Sequence, residues 1–162
     1  MQKLLKVLPF LIILGGAWFL YDRYRVAPDI TEKGVSFFAD GKVATIADYS
    51  GENLVVVFYA KWCGQCMGEM KPLEQAQAYL ADSNFRILAL TDDNEADVKL
   101  VRDHFRITYE TLRLEKKLQD HGIYTIPTAY VLNGSGEVVF EHVGVIDWTD
   151  TTFLDELKAK VN

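Results

Sequence analysis

The length, composition and charge of the chain already exclude several classes of protein. Its 162 residues are 49% hydrophobic and 25% charged, which fits one folded domain with a small appendage and excludes disorder across the body of the chain. The net charge is −6, and because residues 1–26 carry +3, the remaining residues carry −9. An acidic domain repels phosphate backbones, so no nucleic acid partner is expected.

The N-terminus has the pattern of an export signal. Met1–Lys6 is basic, and Val7–Leu20 is apolar throughout and approaches the ~20 residues that span a bilayer. The aromatic residues Trp18 and Tyr21 are typical of a membrane interface, which favours an uncleaved signal anchor. A cleavable signal peptide that ends at the small residues 15–17 remains the alternative. Both interpretations export the rest of the chain and leave the basic flank inside.

The chain therefore divides into three predicted parts: a signal anchor or transmembrane segment at 1–25, a polar linker at 26–34 and a folded domain at 35–162. Val35–Phe38 predicts a short edge strand, and Asp40-Gly41 predicts the hairpin turn that leads into a strand at Val43–Ile46. Leu54–Ala60 is a continuous β-branched and aromatic run, which predicts a strand buried on both faces.

Helices and strands alternate over the rest of the chain. This alternation, closed by a hairpin, predicts an α/β fold with a central mixed β-sheet flanked by helices. The predicted elements are a helix at Gln65–Ala81, a strand at Phe85–Leu90, a helix at Glu95–Phe105, an extended segment at Tyr109–Leu112, a short helix at Leu114–His121 ended by Gly122, a hairpin of Thr128–Leu132 with Glu137–Val143, and a helix at Thr151–Val161.

The two cysteines lie where the buried strand becomes a helix. Unpaired amides and the positive end of the dipole stabilise an anion at a helix N-terminus, so the pKa of the Cys63 thiol is expected below its free value. Cys66 lies one turn further and is expected to be more covered. This arrangement predicts that Cys63 attacks a substrate disulfide and that Cys66 resolves the mixed disulfide.

Other uses of a cysteine pair are less well matched. A disulfide scaffold needs more cysteines at longer spacing, and the pair supplies half of a tetrahedral zinc site. The three histidines, His104, His121 and His142, show no ligand spacing relative to the pair and are expected at the surface or in loops. No metal site and no cofactor other than the cysteine pair are therefore expected.

The segment Val55–Cys66 resembles the strand and active site of the thioredoxin superfamily. Ile126-Pro127-Thr128 resembles its cis-proline loop, and Gly144 resembles the glycine after its last hairpin. The resemblance implies a thioredoxin-like fold, a cis peptide bond before Pro127 and a loop that packs beside the cysteines. The residues that it implies for substrate binding are Trp62, Gly64, Gln65, Ile126 and Pro127.

The N-terminal anchor, the turn-rich segment 40–51 and the spacing Cys66-x-x-Glu69 resemble the membrane-anchored TlpA/ResA/DsbE-type subgroup. In that subgroup the equivalent glutamate is implicated in proton handling. Glu69 lies one helical turn from Cys66, so a carboxylate there is placed to accept the proton that Cys66 loses. Val57 occupies the position of the buried aspartate of thioredoxin itself, which increases the interest of Glu69. The alternative is that Glu69 is an ordinary solvated helix residue.

The resemblance implies an exported thiol–disulfide oxidoreductase on the cytoplasmic membrane, with its catalytic domain on the extracytoplasmic, periplasmic side. Its expected partners are protein thiols and disulfides, for example in cytochrome c maturation, and a membrane electron donor. A disulfide oxidant or isomerase is an alternative, because the Gly64-Gln65 dipeptide does not decide the direction of electron flow. A copper-binding assembly factor is a third possibility, although such relatives carry three residues between the cysteines.

Overall fold

The computed structural model describes residues 11–18, 27–31 and 34–161. Within them, seven strands form one mixed sheet in the order β2-β1-β5-β4-β3-β6-β7. The strands are β1 Ser36–Ala39, β2 Lys42–Thr45, β3 Asn53–Phe58, β4 Phe85–Thr91, β5 Glu110–Leu114, β6 Thr128–Leu132 and β7 Val138–Val143. The helices of the domain are α1 Gly64–Leu80, α2 Glu95–Phe105 and α3 Thr151–Val161, with short 3₁₀ turns at Ile46–Tyr49, Ala81–Ser83 and Leu118–His121.

Strand β3 is the central strand that positions the cysteines. It pairs in parallel with β4, with Val56 opposite Leu88, and antiparallel with β6, with Val56 opposite Tyr130. Its side chains from Leu54 to Phe58 are all buried, as expected for a strand covered on both faces. Because β3 ends at Phe58, the cysteine motif emerges at the carboxyl end of the two parallel strands β3 and β4.

Two hydrophobic cores lie on opposite faces of the sheet, because alternate residues of a strand point to opposite sides. The helix-side core joins Val55 and Val57 to residues of α1, α2 and α3, such as Leu73, Val101 and Leu154. The arm-side core joins Val56, Phe58 and Leu88 to Ala27 and Ile30, and none of its buried members lies in α1, α2 or α3. Among the described residues, loops and short 3₁₀ turns therefore cover this second face.

Part of that cover is the arm, residues 27–31, which belongs to the segment predicted as a polar linker. Ala27 and Ile30 are buried in the arm-side core, and Ile30 is fully buried. The Tyr130 hydroxyl of β6 donates a hydrogen bond to the carbonyl oxygen of Pro28 at 2.8 Å. Residues 27–31 of the predicted linker are thus packed against the sheet.

Three local predictions differ from the structure. The strand at Ser36–Ala39 is not at the edge of the sheet, because its hairpin partner β2 lies outside it and β5 pairs on its inner side. The helix predicted at Leu114–His121 is largely absent, because β5 continues to Leu114 and only Leu118–His121 forms a 3₁₀ turn. His121 is buried rather than exposed.

The predicted anchor lies mostly outside the described residues. Residues 11–18 are helical and exposed, including the side chains of Leu11, Ile12, Ile13 and Leu14. No helix among the described residues is both long enough and apolar enough to cross a membrane. The rest of Val7–Leu20 is not among them.

Candidate active site

Cys63 caps the N-terminus of α1. Its backbone is extended, with φ −83° and ψ 102°, and its Sγ accepts a hydrogen bond from the backbone N–H of Cys66 at 3.2 Å. The turn before it is closed by a hydrogen bond from the Cys63 N–H to the carbonyl oxygen of Ala60 at 3.0 Å. A sulfur in this position receives one of the free amides of the first helical turn, which favours its charged form.

The two sulfurs form a disulfide. The S–S distance is 2.12 Å and the Cα atoms lie 5.2 Å apart. Cys63 is 7% exposed and Cys66 is fully buried, so Cys63 is the sulfur that a protein substrate reaches first. This asymmetry follows from the helix, since Cys63 precedes its first turn as the cap and Cys66 lies within that turn.

The loop before β6 lies directly beside this disulfide. The Ile126–Pro127 peptide bond is cis, as the sequence resemblance implies. The carbonyl oxygen of Ile126 lies 3.8 Å from the Sγ of Cys63, and Pro127 is buried behind it. The carbonyl oxygen of Pro127 accepts a hydrogen bond from the Gly144 N–H at 2.9 Å, which ties this loop to the end of β7. The structure therefore brings Ile126 and Pro127, distant in sequence, to the cysteine pair.

The surface around the disulfide is open and partly apolar. Trp62, which precedes Cys63, is 77% exposed, and Gly64 and Gln65 are also exposed. Tyr124 is 77% exposed two residues before Ile126, and Val145 follows Gly144 and is 52% exposed. Tyr124 and Val145 were not predicted as site residues, although their position beside the predicted proline loop and its glycine was a usable signal. Exposed aromatic side chains of this kind are typical of protein-binding surfaces.

Glu69 is not a solvated helix residue. It is 4% exposed on α1, and its Oε1 accepts a hydrogen bond from the backbone N–H of Ile146 at 2.5 Å. Burial raises the pKa of this carboxyl, while the Ile146 N–H and the nearby Trp148 indole oppose the shift by favouring the charged form. The Trp148 N–H makes no hydrogen bond of ordinary geometry. Glu69 is thus a buried titratable group one helical turn beyond the buried sulfur of Cys66.

The described residues contain no group of three or more His, Cys, Asp and Glu side chains that could hold a metal ion. The two sulfurs themselves are joined to each other. The arrangement that is present, a slightly exposed sulfur at a helix N-terminus with a fully buried partner sulfur and a buried acid, suits exchange between a dithiol and a disulfide.

Comparison with known proteins agrees with this chemistry. Residues 25–141 match the AhpC/TSA family. The thioredoxin-like protein YneN of Bacillus subtilis is 28% identical over 153 residues, which cover 84% of this chain and 87% of the relative. A thiol-disulfide oxidoreductase named ResA, from Bacillus thuringiensis subsp. konkukian, is 24% identical over 154 residues that cover 88% of each protein.

Solved structures of similar proteins share the fold. A thiol:disulfide interchange protein, DsbE from Chlorobium tepidum, superposes with a TM-score of 0.67 at 19% identity and covers 78% of this chain and 92% of its own. StoA from Bacillus subtilis gives a TM-score of 0.59 at 18% identity, covering 79% of this chain and 95% of its own. The chain therefore belongs to the AhpC/TSA family, has a thioredoxin-like fold and is a thiol–disulfide oxidoreductase.

Proposed function

We propose that this protein is an exported, membrane-tethered oxidoreductase that reduces the disulfides of other proteins through Cys63 and Cys66. The observation that carries the proposal is the position of Cys63, which caps α1, accepts the Cys66 N–H at 3.2 Å and lies 3.8 Å from the Ile126 carbonyl oxygen. A substrate disulfide that docks there meets the accessible sulfur of the pair, at the helix terminus that stabilises a thiolate.

The exchange takes place in two steps that move two electrons. The Cys63 thiolate attacks one sulfur of the substrate disulfide, forms a mixed disulfide and releases the other substrate sulfur as a thiolate, which takes a proton from water. Cys66 then loses its proton and attacks the Cys63 sulfur, which releases the second substrate thiolate. The products are a reduced substrate and the Cys63–Cys66 disulfide. In this scheme Glu69 receives the proton of Cys66, since it is the buried acid on the same helix one turn away.

The substrate-binding surface comprises Trp62, Gly64, Gln65, Ile126 and Pro127, with Tyr124 and Val145 at its rim. Trp62, Gly64, Gln65 and Tyr124 are exposed next to a sulfur that is itself only slightly exposed, which suits a polypeptide that docks on this surface better than a small molecule in a deep pocket. The cysteine pair itself carries the electrons, so no further cofactor is required. The −9 charge of residues 27–162 makes nucleic acid an unsuitable partner.

Tethering is supported by the N-terminal sequence and by the exposed apolar helix at residues 11–18. Apolar side chains without cover favour a lipid environment over water. In this arrangement the basic N-terminal tip stays in the cytoplasm and the domain lies on the periplasmic side. A membrane electron donor then returns the pair to the dithiol form, and proteins of cytochrome c maturation are the expected substrate class.

The test of direction is the reduction potential of the Cys63–Cys66 couple in the full-length protein, measured in redox buffers. A value near roughly −270 mV fits a reductant, whereas a value near roughly −120 mV fits an oxidant. Cys66→Ser is the matched control, since it keeps the attacking sulfur and has no internal disulfide to titrate. A potential close to the oxidant value would replace the proposal with the oxidant alternative.

A further inference from the structure

Asp93 lies in the loop between β4 and α2 and contacts the segment that leads to Cys63. One of its carboxylate oxygens, Oδ2, accepts a hydrogen bond from the backbone N–H of Lys61 at 2.6 Å. The same oxygen accepts a hydrogen bond from the hydroxyl of the buried Thr91 at 2.9 Å. The Asp93 N–H in turn donates to the Thr91 Oγ1 at 3.1 Å, so the carboxylate is fixed from both sides.

The backbone of Lys61 needs such a partner because it leaves the sheet at this point. The last hydrogen bond between this segment and β4 joins the Tyr59 N–H to the Leu90 carbonyl oxygen at 3.0 Å. The next turn begins at Ala60, whose carbonyl oxygen accepts the Cys63 N–H, and Lys61 is the first residue inside it. Asp93 therefore supplies the contact that orients the turn once strand pairing has ended.

A second contact strengthens the attachment of Lys61 to the same loop region. Its Nζ forms an ion pair with Asp97 in the first turn of α2, and the Asp97 N–H is capped by the Asn94 side chain at 3.0 Å. Both partners of this pair are partly exposed, so the ion pair contributes little on its own. The backbone contact with the half-buried Asp93 is the more directional of the two.

We propose that Asp93 is a positioning residue for the attacking sulfur: it anchors the turn 60–63 so that Cys63 keeps its place as the cap of α1. The proposal rests on the proposed role of Cys63 as the attacking thiol. Asp93 acts through the Lys61 backbone and touches no reacting atom. Without this anchor, the turn loses its fixed orientation and the Cys63 sulfur loses part of its alignment with the Cys66 N–H, which stabilises the thiolate.

The negative charge of Asp93 and its hydrogen bond to the Lys61 backbone are expected to have opposite effects on the stability of the Cys63 thiolate. The carboxylate lies on the order of 10 Å from the Cys63 sulfur, since it contacts the backbone N–H of Lys61, two positions before Cys63. A negative charge at that range disfavours a thiolate, whereas the anchored turn favours it. Two substitutions separate these effects: Asp93→Asn removes the charge and keeps an acceptor, and Asp93→Ala removes both.

The experiment measures the rate at which iodoacetamide alkylates Cys63 in the reduced full-length protein at neutral pH, together with the reduction potential. Peptide mapping of the wild-type protein first establishes which cysteine reacts. Asp93→Ala is expected to alkylate about tenfold more slowly, the factor that corresponds to one charge-assisted hydrogen bond. Its potential is expected at a more negative value, because the reduced form loses stabilisation. Asp93→Asn is expected to react at the wild-type rate or faster.

Asp92→Ala is the matched control, because it removes a neighbouring carboxylate that contacts the Leu118 N–H at 3.4 Å and the Lys117 Nζ at 3.6 Å. It is expected to keep the wild-type rate within about twofold, since it leaves the Lys61 backbone contact intact. Should Asp93→Ala not fold, Thr91→Val takes its place, since it removes the hydroxyl that fixes the carboxylate. That variant is expected to slow alkylation in the same direction by about threefold.

The outcomes separate three explanations. A slow Asp93→Ala with an Asp93→Asn that reacts at the wild-type rate or faster supports positioning. If both Asp93 variants are alkylated equally faster than the wild-type protein, only the charge of Asp93 matters. If Asp93→Ala is alkylated at the wild-type rate, the role of Asp93 is purely structural, and the same holds for Thr91→Val where it takes the place of Asp93→Ala. Either result overturns the proposal. If Cys66 reacts first in the wild-type protein, the proposed role of Cys63 fails, and that failure is visible before any variant of Asp93 is made.

Discussion

At the scale of single residues, the two cysteines and the nearby glutamate of the active site differ in how far they are buried. Cys63 and Cys66 are three residues apart, yet one caps the helix and keeps a small exposed fraction, whereas the other is fully buried. Glu69, another three residues on, is buried with a backbone N–H on its carboxylate. These positions place the two sulfurs and the acid on successive turns at the start of α1, as the proposed roles of attacking thiol, resolving thiol and proton acceptor require, because residues three or four apart are neighbours on a helix.

The first prediction concerns the division of labour between the two cysteines. Cys63 in the reduced protein is expected to react with iodoacetamide at least tenfold faster than Cys66, because it is accessible and lies at the helix terminus. Cys66→Ser is expected to accumulate mixed disulfides with substrate proteins, which non-reducing electrophoresis detects. Cys63→Ser is the control and is expected to accumulate none. Preferential trapping by Cys63→Ser would reverse the assignment.

The second prediction concerns Glu69. If Glu69 accepts the proton of Cys66, Glu69→Gln is expected to slow the resolving step several-fold and to lower the apparent pKa of the nearby thiol, because the ionised acid no longer opposes a thiolate. The measurement is the pH dependence of thiol alkylation and of disulfide reduction in both proteins. Superimposable profiles would contradict the role and would mean that the proton leaves through water.

The stability of the same variant provides a check on the burial of the acid. Burial raises the pKa of Glu69, so its ionised form is the costly one in the folded protein. Below the ordinary pKa of a glutamate, the wild-type protein and Glu69→Gln are therefore expected to have the most similar free energies of unfolding. As pH rises through the pKa of Glu69 in the folded protein, the wild-type protein is expected to become less stable relative to Glu69→Gln. Urea unfolding at several pH values measures the difference. A difference that does not depend on pH would argue against a perturbed carboxyl.

At the scale of elements, the arm performs a task that a helix performs on the other face of the sheet. Residues 27–31 cover part of the arm-side core, with Ile30 fully buried and the Pro28 carbonyl oxygen bonded to Tyr130. The covered strands include β3, which leads to the cysteines, and β6, which follows the proline loop. The arm therefore stabilises both strands that hold the active site.

The third prediction tests the arm. Ile30→Ala is expected to lower the free energy of unfolding by about 2–4 kcal/mol, because it opens a cavity in the arm-side core. Tyr130→Phe is expected to cost about 1 kcal/mol through the lost hydrogen bond to Pro28. Urea unfolding measures both. Thr31→Ala, at an exposed position of the same arm, is the control and is expected to stay within about 0.5 kcal/mol of the wild-type protein. Equal stability in Ile30→Ala would show that the arm is dispensable.

At the scale of the whole molecule, the short N-terminal segment and the rest of the chain differ in charge and in hydrophobicity. Residues 1–26 carry +3 and contain the apolar run, whereas the rest of the chain carries −9. If the N-terminal segment is a membrane tether, as proposed, the arm that follows it is packed against the sheet and not free.

The fourth prediction concerns attachment to the membrane. If the apolar run is an uncleaved anchor, washing isolated membranes with carbonate is expected to leave full-length protein in the pellet. Immunoblotting and intact mass measurement report the location and the length. A control chain that begins at residue 27 is expected in the supernatant. Release of a shortened protein that lacks residues 1–17 would show a cleaved signal peptide instead.

The sequence by itself determined the elements whose local pattern is strong. The helix Glu95–Phe105, the strand Thr128–Leu132 and the helix Thr151–Val161 have the predicted boundaries, because apolar periodicity and capping residues act over a few neighbouring residues. The cysteine pair at the start of α1 was also predictable, since a continuous apolar strand followed by helical spacing fixes that junction. The cis bond before Pro127 and its place beside Cys63 followed from a resemblance and not from local chemistry.

Only the tertiary structure decided what depends on partners far along the chain. The burial of Glu69 requires the Ile146 N–H, 77 residues away, so the sequence could not distinguish a buried acid from a solvated one. The contact of Asp93 with the Lys61 backbone joins two loops that no local pattern connects. The arm is irregular in sequence yet is buried, because a sheet face needs cover. His121 is buried as well, and no local pattern indicated it. The local sequence pattern determines where helices and strands form. Packing between distant segments determines which polar side chains are buried away from water, and burial changes their pKa.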